Sequence, residues 1–90
     1  MIHVKILGTR SPQRYAVRRA VLAAWYELLH EHPGLHLNTV EVKDQLEIQH
    51  YTQVFIYPSL VINEKLVCVG RFPKKDDILV WFQQALHSEA

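Results

Sequence analysis

The sequence predicts a single α/β domain with the element order β-α-β-α-β-β-α, a four-stranded mixed sheet flanked by helices. A chain of 90 residues has the length of one compact domain and no more. A β-branched apolar stretch at the N-terminus is followed by a long stretch with helical period. Two apolar runs in the second half are joined by a turn short enough to make a β-hairpin.

The first element runs from about Ile2 to Leu7 and stops at Gly8-Thr9. Alternation puts Ile2, Val4 and Ile6 on one face and His3, Lys5 and Leu7 on the other. The second set is only partly apolar, so its start is expected near an end of the sheet. A helix start follows at Ser11-Pro12, where serine is a favoured N-cap and proline suits the first helical position. The helix is expected from Pro12 to about His32, stopped by Pro33-Gly34. Val17, Val21, Ala24 and Leu28 lie at i, i+4, i+7 and i+11, and Ala20, Trp25 and Leu29 widen the stripe.

Leu35 to Val42 alternates and reads as a strand less buried than the first, an edge. Asp44-x-x-Glu47 resembles a capping box for a short helix carrying Leu46, Ile48 and Tyr51. The run Val54-Phe55-Ile56-Tyr57 leads into Pro58. Ser59–Ile62 and Leu66–Val69 then pair across a turn at Asn63-Glu64. A last helix begins near Pro73 and carries Ile78, Val80, Trp81, Phe82, Ala85 and Leu86. Right-handed crossovers place the first and third strands in the centre, the second at one edge and the fourth, antiparallel, at the other. In such a layout the two long helices share a sheet face. Trp25 and Trp81 are then expected in the core, with Tyr26 or Phe82 left outside as a candidate dimer or partner surface.

Composition narrows the function classes. The formal charge of +1 argues against a nucleic-acid binder. One cysteine, Cys68, excludes an internal disulfide, a Cys-x-x-Cys pair and a zinc site with two thiolates. It reads as a small buried hydrophobe. No apolar run approaches the length of a membrane span, and the N-terminus reads as a strand rather than a leader. A cytoplasmic protein is expected. Six histidines lack partners at a familiar ligand spacing, so no metal and no cofactor is expected.

The block Tyr57-Pro58-Ser59-Leu60-Val61-Ile62-Asn63-Glu64-Lys65, with Ile6-Leu7-Gly8-Thr9 and Val69-Gly70-Arg71-Phe72-Pro73, resembles the thioredoxin fold. It is most similar to the small bacterial and archaeal thioredoxin-like "redox-active disulfide" proteins. The resemblance implies a Cys-x-x-Cys at the first helix start and a cis proline facing it. Here Ser11-Pro12-Gln13-Arg14 stands in place of the cysteine pair. Thiol–disulfide exchange needs a thiolate with its pKa lowered by the helix N-terminus, so that activity is not expected to carry over. Pro58 matches the family's cis proline, beside which an extended peptide or thiol ligand pairs with the backbone. Some glutathione transferases have a similar domain with a serine near this helix start. Their Glu-Ser pair is replaced here by Cys68-Val69-Gly70. The circadian-clock KaiB family offers a looser resemblance: it too lacks the cysteine pair, and it works through protein partners.

The candidate site is therefore the first helix start. Its unpaired N–H groups and partial positive charge suit an anion, and Arg10, Arg14 and Arg18 cluster there. Residues 1–35 hold five Lys/Arg against two acids, and residues 36–90 hold five against seven, which concentrates positive charge at this end. The expected contact surface comprises Thr9, Arg10, Ser11, Arg14 and Arg18, the segment Tyr57-Pro58, and Arg71, with Tyr57 able to stack on a ligand. The expected role is a protein- or acidic-peptide-binding module without redox chemistry. The alternative is a glutathione- or small-anion-binding protein, and a homodimer through the exposed aromatics is a further possibility.

Overall fold

A computed structural model describes residues 1–51 and 57–89 of the chain. The run Val54-Phe55-Ile56 lies outside the described residues. The elements are β1 (Ile2–Leu7), α1 (Ser11–Leu29), β2 (Leu37–Val42), α2 (Gln45–Ile48), β3 (Ser59–Ile62), β4 (Lys65–Val69) and α3 (Lys75–Glu89). The sheet order is β2-β1-β3-β4. β2 runs parallel to β1, while β3 is antiparallel to both β1 and β4, as the crossover argument requires.

The alternation of β1 sorts two cores. Ile2, Val4 and Ile6 are buried with Leu60, Ile62 and Cys68 of the sheet, against Val17, Val21 and Trp25 of α1 and Ile78 and Phe82 of α3. Leu7 turns the other way and is buried with Val42, Val61 and Ile48, on the side of the short α2. His3, on that second face, is exposed and Lys5 half-buried. Lys5 donates to the Tyr51 hydroxyl and pairs with Glu64 at 2.8 Å. These two hydrogen bonds, Glu64 first, push its ammonium pKa up.

Several boundaries and faces depart from expectation. Ser11 is the first helical residue rather than the cap. Arg10 holds the N-cap position, and α1 has no side-chain capping bond. α1 ends at Leu29, not His32. His30 and Glu31 donate to the carbonyls three residues back, the tightened last turn common at helix ends, and the residue before Pro33 is disfavoured in helical conformation. β2 begins at Leu37 rather than Leu35, although Leu35 still packs on the core. Asp44 does cap α2, accepting from the Leu46 N–H at 3.0 Å. Asn63 (φ 49°) and Glu64 (φ 65°) form the hairpin turn with two left-handed residues, whose twist matches the strands. α3 starts at Lys75, with Asp76 and Asp77 in its first turn, where carboxylates favour the helix dipole.

The aromatic assignment on α3 is reversed. Phe82 is fully buried and meets Trp25 edge-on, with ring centroids 6.2 Å apart. Trp81 is only partly buried, and Tyr26 is exposed. Adjacent helical residues point about 100° apart, so α3 can send only one of the pair into the α1 contact. No described helix is long and apolar enough to cross a membrane.

Candidate functional site

The strand register brings three chain segments to one end of the sheet. Leu7 lies opposite Ser59, and Ser59 opposite Val69. The residues that follow β1 (Gly8–Arg10), precede β3 (Tyr57–Pro58) and follow β4 (Gly70–Phe72) therefore emerge together. The Gly70 N–H donates to the Pro58 carbonyl at 2.9 Å. The Tyr57–Pro58 peptide bond is cis. Pro58 and Gly8 are buried, and Thr9, Arg10, Ser11 and Arg71 are exposed around them.

Arg14 does not stand at this rim as a free cation. It is buried, with 9% of its surface exposed. Nη1 donates to the Gly8 carbonyl at 2.9 Å and Nε to Glu41 at 3.2 Å. The other oxygen of Glu41 accepts from Arg18 Nη1 at 2.9 Å. The register explains the meeting: Glu41 lies beside Ile6, so its side chain shares the face of the sheet that α1 covers. One carboxylate thus binds two of the three arginines expected to serve an anion. Gly8 makes room for the arrangement, because a Cβ there would lie 3.3 Å from Arg14 Cγ. Arg71 is exposed, 3.4 Å from Asp77 Oδ2 and 5.8 Å from the centre of the Trp81 ring.

Tyr57 packs its ring against the core beneath α2 instead of standing free to stack. Its hydroxyl is buried without a hydrogen-bond partner among the described residues, as is Gln13 Oε1. Cys68 lies inside the α1/α3 core. Its thiol is 3.5 Å from the Arg71 carbonyl, and burial pushes its pKa up against a weaker opposing pull from Arg71. Phe72 was not anticipated: it is 56% exposed on the loop after Gly70. A large apolar residue directly before Pro73, where no helix or strand periodicity claims it, was the available signal.

Chemically, this end of the sheet presents a serine hydroxyl at a helix start, two exposed arginines and an exposed aromatic ring. The chain's single thiol is withdrawn from it. A comparison with curated proteins finds no match. A family model described as a thioredoxin domain matches residues 2–83, nearly the whole chain, and with the sheet order and helix placement above the chain belongs to the thioredoxin domain family.

Proposed function

We propose that this thioredoxin-family domain works without disulfide exchange, as a protein- or peptide-binding module. Its contact surface is the rim formed by Thr9–Ser11 and Arg71–Phe72, around the buried Pro58. The observation that carries this reading is Arg14. It occupies the position where the resemblance places the second cysteine, and it is buried and bonded to Gly8 and Glu41. Ser11 stands at the first cysteine position, and a hydroxyl is neither ionised near neutrality nor able to form a disulfide. The glutathione or small-anion alternative has less support, because Arg14, the arginine nearest the helix start on α1, is buried and held by Gly8 and Glu41 instead of facing the rim. Arg10, Arg71 and Phe72 remain as exposed anchors of the types enriched at protein interfaces.

The test uses the full chain with a photo-crosslinking amino acid placed at Thr9, at Phe72 or at the remote Glu31, in lysate of the source cells. Protein adducts shared by the first two positions and absent from the third are expected. Equal adduct patterns at all three positions, or saturable amide shifts at Ser11 and Tyr57 on titration with glutathione, would overturn the reading. Wild-type chain is also expected to reduce insulin disulfides no faster than buffer containing the same dithiothreitol. Catalysed reduction would end the redox-inactive proposal.

A further inference from the structure

We infer that the outer edge of β2 is a second docking site, which takes an extended acidic segment of a partner protein as an added strand. This goes beyond the sheet-end rim and does not depend on it. The ladder between β1 and β2 fixes which backbone groups are used. Ile2 N–H donates to the His36 carbonyl and Gly8 N–H to the Val42 carbonyl, with Ile2 in register with Leu37. In a parallel pair with this phase, the even residues Asn38, Val40 and Val42 bond to β1. Leu37, Thr39 and Glu41 then direct their N–H and C=O groups away from the sheet. β2 has β1 as its only strand neighbour in the described sheet.

Natural edge strands are usually guarded by proline, by outward charges or by a cover. β2 reads Leu-Asn-Thr-Val-Glu-Val, without proline. Its one charge, Glu41, is drawn onto the α1 face by Arg14 and Arg18. Val40 is 43% exposed. Beside the edge runs an open groove between α1 and β2, lined by Arg18, Leu22 and Tyr26 on one wall and Leu37, Asn38 and Thr39 on the other. Backbone pairing would supply affinity, and the groove would take alternate side chains.

Charge selects the occupant. α1 carries Arg14, Arg18 and Arg19, and its single acid, Glu27, is bound to Lys75 at 2.9 Å. Arg18 is the formally charged side chain among the groove's lining residues and is half exposed; with the adjacent buried Arg14 against the single Glu41 carboxylate, the cluster beside the groove keeps one net positive charge. A second copy pairing through the same edge would bring this positive cluster against its own image. An acidic strand meets it with opposite charge.

The test is hydrogen exchange by NMR on the full chain, with and without a capped peptide alternating valine and glutamate and long enough to span β2. Saturable slowing is expected at the Leu37, Thr39 and Glu41 amides, and none at Asn38, Val40 and Val42. The counterpart peptide with lysine for glutamate should bind at least about tenfold more weakly, as loss of a charge-assisted contact implies. Arg18→Gln should weaken the acidic peptide by a similar factor. Thr39→Pro removes an outward N–H and leaves the β1 ladder its donors. It should abolish the protection while preserving the circular dichroism spectrum. Equal binding of both peptides, no binding, or protection of a different set of amides would overturn the proposal. So would concentration-dependent protection of the same three amides in the free chain, which would make a second copy the occupant.

Discussion

Arg14 and Gly8 are joined by a 2.9 Å hydrogen bond from guanidinium to carbonyl, directly across the turn between β1 and α1. The same side chain reaches Glu41 on β2. One residue in the first turn of α1 therefore ties the helix to two parallel strands, at the place where the family resemblance puts a cysteine.

Replacing Arg14 by Ala leaves the buried Gly8 carbonyl and one of the two Glu41 carboxylate oxygens without their donor. A loss of about 2 kcal/mol is expected, the scale for hydrogen bonds to charged groups, read as a lower urea midpoint with unchanged slope. Arg18→Ala removes only a half-exposed partner of the same Glu41 and should cost less than about 1 kcal/mol. Equal losses for the two variants would mean that burial does not separate them.

Ser11→Cys with Arg14→Cys restores a thiol pair at the helix start. The double variant should form an internal disulfide, visible as the loss of two hydrogens by mass spectrometry, and should show weak insulin reductase activity. Two thiols that never pair would place the first helix out of register with the family motif.

The Cys68 thiol is buried and its pKa raised by that burial. In the folded chain, alkylation by iodoacetamide near pH 8 should be far slower than in urea. Stability from keeping this thiol neutral is fully present below the unfolded value of about 8.5 and is lost as pH rises through the higher folded value. Lys5, also raised, works in the same direction at higher pH. Its stabilisation is present below the unfolded ammonium pKa and disappears as the folded group deprotonates. Cys68→Ala should flatten the first part of this alkaline decline and leave the second.

Phe82→Ala opens the contact between α1 and α3 and removes the edge-on partner of Trp25. A cost of about 3–5 kcal/mol is expected, enough to unfold a marginal domain. Trp81→Ala, at a partly buried position, should cost clearly less. Chemical denaturation of both variants orders them.

Much of the fold is legible in the sequence. The period-2 pattern of β1 sorted Ile2, Val4 and Ile6 from Leu7, because a pleated strand has no other way to arrange its side chains. The short connection at Asn63-Glu64 required a hairpin, and the lower apolar content of β2 placed it at an edge. Trp81 and Phe82 were not separable in this way. Both are large, apolar and adjacent, and the rotation of α3 is set by its fit against α1, which the local sequence does not record.

The candidate site divides along the same line. The sequence alone determined that no second thiol exists, a fact of composition, and the family resemblance set Ser11 and Arg14 against the cysteine positions. The sequence also placed Gly8, Pro58 and Gly70 at the ends of strands. The tertiary structure decided what the arginines do. Glu41 lies 27 residues beyond Arg14 in the chain and reaches it only because parallel pairing sets β2 beside β1 with Ile6 opposite Glu41. A charge read along the chain counts as free. Folding brings distant carboxylates into contact with it, and only the register of the sheet determines which one.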